Sequence, residues 1–359
     1  MPTVTFINTT PFWGGGERSH LEKAVALRRR GHAVTVVAHP SGPLLARARA
    51  AGLPSLALAL GKLSPLDPRK HLRLARYLRD VAPDAVVLNA SADLKVGAPA
   101  ARRAGVPRIV YLRGLDAPIR DTAPNRYLIG RCVTHVIANS EATRSRVLGE
   151  LPIDPAKVMV VYHGIDLSAP PPAARTGAPA GPLVIGNAGR LTAQKAQHEL
   201  IDAAALLRER GVDCQVRIAG EGARREDLAE HISRLRLGER VRLLGFVDDM
   251  DAFYRELDVF ALTSHWEGFG FALVEAMRHG LPVVAYATSS NPEIVADGLT
   301  GVLVAPGDVM ALAEALAQLA ADPARRRALG EAGRARVAER FDLERQLDAF
   351  AAVVLGDSG

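Results

Sequence analysis

Leu183-Val184-Ile185-Gly186-Asn187-Ala188-Gly189-Arg190-Leu191-Thr192-Ala193-Gln194-Lys195 decides the fold class. Its first six residues do not alternate between apolar and polar. Such a run reads as a strand buried on both faces, the kind found in parallel sheets. It breaks at a glycine, and a helical pattern follows over 199–210. Ligands of open α/β sheets bind outside the carboxyl ends of strands, so this loop is a candidate site. Arg190 and Lys195 place two cations beside a helix N-terminus, which itself favours an anion. A diphosphate suits that environment. The chain holds 39 Arg and six Lys, and Lys195 is the only lysine after Lys157. A compact point charge stands where arginine is the rule elsewhere. A lone lysine is ordinarily a solvated surface residue, so the argument needs its neighbours.

The same alternation runs outward in both directions. Further strands read at 215–219, 241–244, 259–262, 282–285 and 301–304, with helices at 225–235, 271–280 and 309–320. Upstream, strands read at 4–7, 33–38, 85–88, 108–112, 133–138 and 158–162, with helices including 19–30 and 68–81. Between the halves lies a Pro/Ala/Gly run that can build neither helix nor ladder. At 359 residues the chain is too long for one ordinary core. The pattern predicts an α/β protein of two Rossmann-like β/α/β domains facing a cleft: residues 1–168, a linker at 169–182, and residues 183–340.

A second constellation follows the strand at 259–262: Ser264-His265-Trp266-Glu267-Gly268-Phe269-Gly270-Phe271-Ala272-Leu273-Val274-Glu275. Gly268 and Gly270 let backbone amides approach an anion at the start of a helix. Glu275 falls about one turn into that helix, where a carboxylate can accept bonds from ribose hydroxyls. Glu267, in the loop, can bind another polyol. Alone, either glutamate would read as a surface charge or a partner of the helix dipole. Together with the glycines and the preceding strand, the ligand reading wins.

At these residues the chain resembles the family-four group of retaining, nucleotide-sugar-dependent glycosyltransferases with the GT-B fold. The resemblance spans nearly the whole chain. It rests on Gly189-Arg190-Leu191 with Gln194-Lys195, Ala219-Gly220-Glu221-Gly222, Gly245-Phe246-Val247, and Glu267 and Glu275 with seven residues between them. Pro292-Glu293-Ile294-Val295 and Gly301 to Asp308 extend it, as do Trp13-Gly14-Gly15-Gly16-Glu17, Ala138-Asn139-Ser140 and Tyr162-His163-Gly164 upstream. It implies that Arg190 and Lys195 hold the donor diphosphate and neutralise the leaving group. It implies Glu275 on the donor ribose and Glu267 on the transferred sugar, with the amides of Gly268, Phe269, Gly270 and Phe271 nearby. Gly189 opens the phosphate loop. Gly220, Gly222 and Phe246 would border the base, and Gly15 and Gly16 would approach the phosphate from the first domain. The helix within 341–359 would cross back to that domain. UDP is the expected base carrier ahead of GDP, no metal or cofactor is required, and the anomeric configuration is retained.

Two departures stand out. Relatives carry a histidine after the strand that here ends in Leu112; this chain has Arg113-Gly114-Leu115-Asp116. Arg113 would contact an anionic donor or acceptor group, or Asp116 would serve the acceptor, with Glu17 nearby. Thr288-Ser289-Ser290-Asn291 stands where relatives have glycines.

The net charge of +6 is uneven. Residues 1–180 hold 25 Lys+Arg against 12 Asp+Glu, and residues 181–359 hold 20 against 27, giving +13 and −7. The basic half is expected to take the acceptor, a glycan or lipid-linked sugar, and a docking surface on an anionic membrane is the sharper reading of its basic helix at 68–81. Solvated helix faces are the plainer one. Nucleic acid is disfavoured, because aromatics are only 5% and do not interleave with the cations. Two distant cysteines exclude a disulfide scaffold. No apolar run approaches a membrane span, and the N-terminus reads as a strand, so a cytoplasmic protein is expected. The dinucleotide fingerprint of an oxidoreductase and the P-loop of a kinase are both absent. A catalytically silent sugar-nucleotide binder is the remaining alternative.

Overall fold

The computed structural model describes residues 1–114, 118–168 and 181–356. Residues 169–180 of the expected linker, and Asp116, lie outside the described residues. The chain forms two compact units, Met1–His163 with Glu344–Gly359, and Gly164–Leu343.

The first unit holds strands β1 (Thr3–Asn8), β2 (Ala33–Ala38), β3 (Ser55–Ala57), β4 (Ala85–Leu88), β5 (Arg108–Arg113), β6 (His135–Ala138) and β7 (Val158–Val160). Its helices are α1 (Gly15–Arg29), α2 (Pro43–Ala50), α3 (Pro68–Val81), α4 (Ser91–Ala104), α5 (Ala123–Asn125), which runs into a wide turn at Arg126–Cys132, and α6 (Glu141–Glu150). The strands form one parallel sheet in the order β3-β2-β1-β4-β5-β6-β7. Alternate residues feed two cores. Val4, Phe6 and Val36 face one layer, and Ile7, Val37 and Leu88 face the other. Every residue of β4 is buried, because helices cover both faces.

The second unit holds β8 (Leu183–Ala188), β9 (Cys214–Ala219), β10 (Val241–Gly245), β11 (Val259–Leu262), β12 (Val283–Tyr286) and β13 (Gly301–Val304). Helices α7 (Gln197–Glu209), α8 (Arg225–Arg234), α9 (Met250–Arg255), α10 (Phe271–Arg278), α11 (Asn291–Ile294), α12 (Val309–Ala321) and α13 (Pro323–Arg340) accompany them. The order is β10-β9-β8-β11-β12-β13, again parallel.

The last helix, α14 (Leu343–Leu355), lies almost wholly in the first unit. Its Phe350 and Val354 join the core of Phe6 and Val36. Arg108 Nη1 donates to the Val353 carbonyl at 2.8 Å, and Arg30 pairs with Glu344 and Asp348. The chain passes between the units near Gly164 and again near Leu343. The two passages hydrogen-bond to each other: Ile165 N to Phe341 O at 2.8 Å, and Leu343 N to Ile165 O at 3.1 Å. A Cβ on Gly164 would sit 2.5 Å from Leu343 Cα, so the passages meet only through a glycine.

No helix among the described residues is long and apolar enough to cross a membrane.

The first core buries one costly group. His20 of α1 lies edge-on to Phe6, with ring centroids 5.0 Å apart. Among the described residues neither ring nitrogen has a hydrogen-bond partner. Burial, and then the Lys23 charge, lowers its pKa to about 3. A base whose folded pKa lies below its unfolded value contributes stability at high pH that is lost as pH falls. The window opens below the ordinary value near 6.5. Between pH 7 and pH 5 wild type should therefore lose about 2 kcal/mol more than His20→Phe. Urea unfolding at the two pH values checks this, and equal losses would contradict it.

Candidate functional site

The second unit's chemistry begins where β8 stops. Gly189 N donates to Ala219 O at 3.0 Å and Leu191 N to Glu221 O at 2.9 Å. Arg224 N returns a bond to Leu191 O at 3.1 Å, and Gly220 N donates to Gly245 O at 2.7 Å. The loops after β8 and β9 are thereby laced together. A Cβ on Gly220 would lie 1.9 Å from Gly189 O, and one on Gly222 would lie 2.3 Å from Leu191 O. Both glycines therefore face the backbone of the loop after β8, which is the packing reason for Ala219-Gly220-Glu221-Gly222. Phe246, after β10, is 78% exposed.

Lys195 ends a single turn, Ala193–Lys195, before α7. Its ammonium pairs with the Glu267 carboxylate, and both side chains are largely buried. The pair joins the loop after β8 to the loop after β11. Backbone bonds hold the same junction. His265 N donates to Gln194 O at 2.9 Å, Gln194 Nε2 to Trp266 O at 2.8 Å, and Thr263 Oγ1 to Lys195 O at 3.0 Å. His265 Nε2 lies 2.8 Å from Glu199 Oε1, so the second loop is also anchored to the first turn of α7. Arg190 is exposed, and its carbonyl accepts a bond from Gln197 Nε2 at 3.1 Å.

Glu267 leads through buried Gly268, Phe269 and Gly270 into α10. Phe269 packs edge-on against Phe271 and Phe341, at 5.5 and 5.6 Å. Of the four amides expected to meet a ligand, that of Phe271 already donates to Phe269 O at 2.8 Å. Glu275 is half-buried on α10, and its Oε2 accepts from Tyr254 Oη at 3.0 Å. Burial, then the Glu275 charge, pushes the Tyr254 hydroxyl well above the usual tyrosine range. It is a fixed donor that orients the carboxylate. The sequence reading missed Tyr254, whose only signal was an aromatic residue on a short amphipathic helix.

Other polar atoms collect on this edge of the sheet. Thr192 Oγ1, Ser264 Oγ, Ser290 Oγ and Asn291 Oδ1 are buried without a hydrogen-bond partner among the described residues. They follow β8, β11 and β12. Buried polar atoms are normally satisfied, so such a collection marks a ligand-facing edge. Ser289, where the resemblance expects glycine, adopts φ +46°, a left-handed conformation that glycine takes without cost.

The first unit places a second set of groups beyond β1, β4 and β5. The α1 helix starts at Gly15 after extended Gly14, and a Cβ on Gly15 would meet nothing within 4 Å. One on Gly16 would stand 3.8 Å from Asn89 Nδ2. Glu17 is buried in the first turn. Burial raises Asp93 to about 6 against the hydrogen bonds it accepts, with a smaller push from the Glu17 charge. Asp93 was not foreseen, although an acid three residues into a helix is a capping signal. Its Oδ1 accepts from Thr9 N and Thr9 Oγ1, at 3.1 and 2.6 Å, and its Oδ2 from Ala90 N at 2.7 Å. It ties the loop after β1 to the start of α4. Arg113 ends β5 and is half-buried. Burial raises the Tyr111 hydroxyl above the usual tyrosine range, and the Arg113 charge and hydrogen bond oppose it only in part. Asn139 Nδ2 donates to Gly114 O at 3.1 Å, while Ser140 Oγ caps α6 by accepting from Thr143 N at 3.0 Å. Ala138-Asn139-Ser140 is thus accounted for as strand end and cap. Among the described residues, no group of three or more His, Cys, Asp and Glu side chains is arranged to hold a metal ion.

Residues 173–336 match the family described as glycosyl transferases group 1, and residues 13–169 match glycosyltransferase family 4. A GDP-mannose-dependent phosphatidylinositol monomannoside mannosyltransferase of Mycolicibacterium smegmatis is 33% identical over 291 residues, 75% of this chain and 75% of that one. A glycogen synthase of Mycobacterium tuberculosis is 34% identical over 202 residues, 56% of this chain. That match spans about half the relative's length, 49%. The crystal structure of Anabaena HepE in complex with UDP and glucose superposes with a TM-score of 0.84 at 25% identity, covering 99% of this chain and 100% of that one.

The Lys195–Glu267 pair should be an energetic link between its two loops. A double-mutant cycle of Lys195→Met and Glu267→Gln, read by urea unfolding, should return a coupling of about 1–3 kcal/mol. A coupling near zero would show that the loops are held by their backbone bonds alone.

Proposed function

The chain belongs to the group 1 glycosyl transferases, and from that premise we propose that it moves a sugar from a nucleoside diphosphate sugar to a hydroxyl of a glycan or lipid-linked acceptor. The anomeric configuration is retained, and UDP is the carrier ahead of GDP. The pairing of Lys195 with Glu267 across two loops carries this reading. It sets a cation for the diphosphate beside a carboxylate for the sugar, with Glu275 held by Tyr254 for the ribose.

The chemistry follows from charge. As the bond between the anomeric carbon and the diphosphate oxygen breaks, negative charge grows on the leaving group. Positive charge spreads over the sugar's ring oxygen and anomeric carbon. Lys195 and Arg190 stabilise the first, and groups already fixed in place lose little in reorganising. They supply the charge a divalent metal would otherwise bring. Glu267 positions the sugar and balances the second. The acceptor hydroxyl then attacks from the face the diphosphate leaves. On the first unit, Glu17, Arg113 and Asn139 supply polar groups suited to an acceptor. Asp93 holds the loop after β1, which leads into α1 and Glu17. UDP is favoured by the match to HepE, which extends along the whole chain. A lipid-linked acceptor is favoured by the phosphatidylinositol mannoside named for the mannosyltransferase. We take the enzyme, on that account, to act in the cytoplasm at the membrane's inner face.

Incubation with UDP-glucose, UDP-galactose, UDP-N-acetylglucosamine and GDP-mannose tests this. Slow release of the nucleoside diphosphate from one donor is expected, undiminished by a chelator. Lys195→Ala should lower that rate by about 10²–10³. Proton NMR of the product should show the donor's anomeric configuration. Tight donor binding with no turnover would instead identify a silent binding protein, and an inverted product would overturn the mechanism.

A further inference from the structure

Away from the groups assigned to the donor, the second unit has a cavity of about 290 Å³ between α7 and α8. His198 lines it from α7. Arg224, at the start of α8, lines it from the other side, and Asp227, His231 and Arg234 follow at steps of three or four residues, along one helical stripe. None of Arg190, Lys195, Glu267 and Glu275 borders it. Most of its polar groups are already held in place. Asp202, one turn beyond His198 on α7, lies with its Oδ1 2.6 Å from His231 Nε2. Arg234 Nη2 lies 2.6 Å from His231 Nδ1. A guanidinium can only donate, so Nδ1 accepts and the ring's proton sits on Nε2, toward Asp202. Arg224 Nε donates to Asp227 Oδ2 at 3.0 Å. Buried Leu228 supplies an apolar patch of the wall. Burial holds the His198 imidazole below its usual pKa, so it is uncharged at neutral pH.

Charge selects the ligand. Arg224 and Arg234 are matched by the carboxylates of Asp227 and Glu230, and the imidazoles add no charge, so the lining is neutral as a whole. An anion would meet the two carboxylates, and a cation would meet the two arginines. A neutral polyol gains from both kinds of group. Each hydroxyl donates one hydrogen bond and can accept two, and this wall sets guanidinium donors beside carboxylate acceptors. The neutral imidazole of His198 adds one donor and one acceptor. We infer that the groove between α7 and α8 binds a neutral sugar ring. Arg224 and Arg234 donate to its hydroxyls, Asp227 and Glu230 accept from them, and Leu228 lies against its C–H face. The volume, at the lower end of small-molecule pockets, suits a single ring. Arg224, His231 and Arg234 are fixed before the sugar arrives, so little side-chain freedom is lost on binding. Nothing in this site takes part in the transfer proposed above, so the two stand or fall separately.

Saturation-transfer NMR on the full chain tests it. The probes are the methyl glycosides of glucose, galactose and mannose, with glucuronate and glucosamine as charged comparisons. At least one neutral glycoside should receive saturation, more strongly than either charged sugar, and added UDP should leave that signal unchanged. Asp227→Ala and Arg234→Ala should each weaken binding by about tenfold or more. Both side chains are exposed, so both variants should keep wild-type circular dichroism and wild-type donor hydrolysis. No saturation of any neutral glycoside overturns the inference. Stronger binding of glucuronate makes the cavity an anion site and overturns it as well. So does displacement by UDP, which would put the sugar at the donor's place, and so does binding that neither variant weakens. Donor hydrolysis is read on the same samples, so loss of the glycosyltransferase reading would be seen separately.

Discussion

Parallel pairing of β8 with β11 is the constraint on which the second unit's site depends. The two strands are neighbours in the sheet, although β9 and β10 separate them in sequence. The chain leaves β8 toward β9 on one side and returns to β11 on the other. At such a switch point the two following loops diverge above the sheet and leave a crevice between them. The first unit repeats the arrangement, with β1 lying between β2 and β4. The helix after β1 carries Glu17, and the helix after β4 carries Asp93. Each unit thus brings its polar groups to the place where its sheet reverses strand order.

A crevice alone would not set side chains. The loops are fixed by what crosses between them. Lys195 and Glu267 attract each other in a largely dry environment, where charge interactions are strong. The bonds from His265 N to Gln194 O and from Gln194 Nε2 to Trp266 O hold the same junction without charge. On the other flank, Gly220 and Gly222 let the loop after β9 lie directly on the backbone of Gly189 and Leu191. The loop after β8 is therefore braced from both sides.

The uneven charge of the chain now has distinct locations. The second unit is acidic overall, yet Arg190 and Lys195 stand at the carboxyl edge of its sheet. The first unit's surplus is carried partly by the outer face of α3. Other cations there are consumed internally. Arg30 pairs with Glu344 and Asp348, and Arg108 binds the Val353 carbonyl, so both help to hold α14 on the first unit. Counting cations says nothing about which are spent on the fold and which remain for partners.

The sequence by itself determined the parallel class of both sheets, every strand except the short β3, and the helices α1, α3, α7, α8, α10 and α12 between them. Buried strands such as β4 and β8 write their apolar runs locally, and the glycine that ends a strand lies next to it in the chain. It also singled out Arg190, Lys195, Glu267 and Glu275, because their loops follow strands at recognisable intervals. Only the tertiary structure decided what those residues touch. Lys195 meets Glu267 from 72 positions away, and Glu275 meets Tyr254 from 21. Thr9 meets Asp93 across 84 residues. Such contacts depend on strand order, which no local pattern encodes. Only the structure, too, gave Gly220 and Gly222 a packing duty, and left Leu63 and Leu66 uncovered. A leucine looks the same in sequence whether folding buries it or not; its neighbours in space decide that.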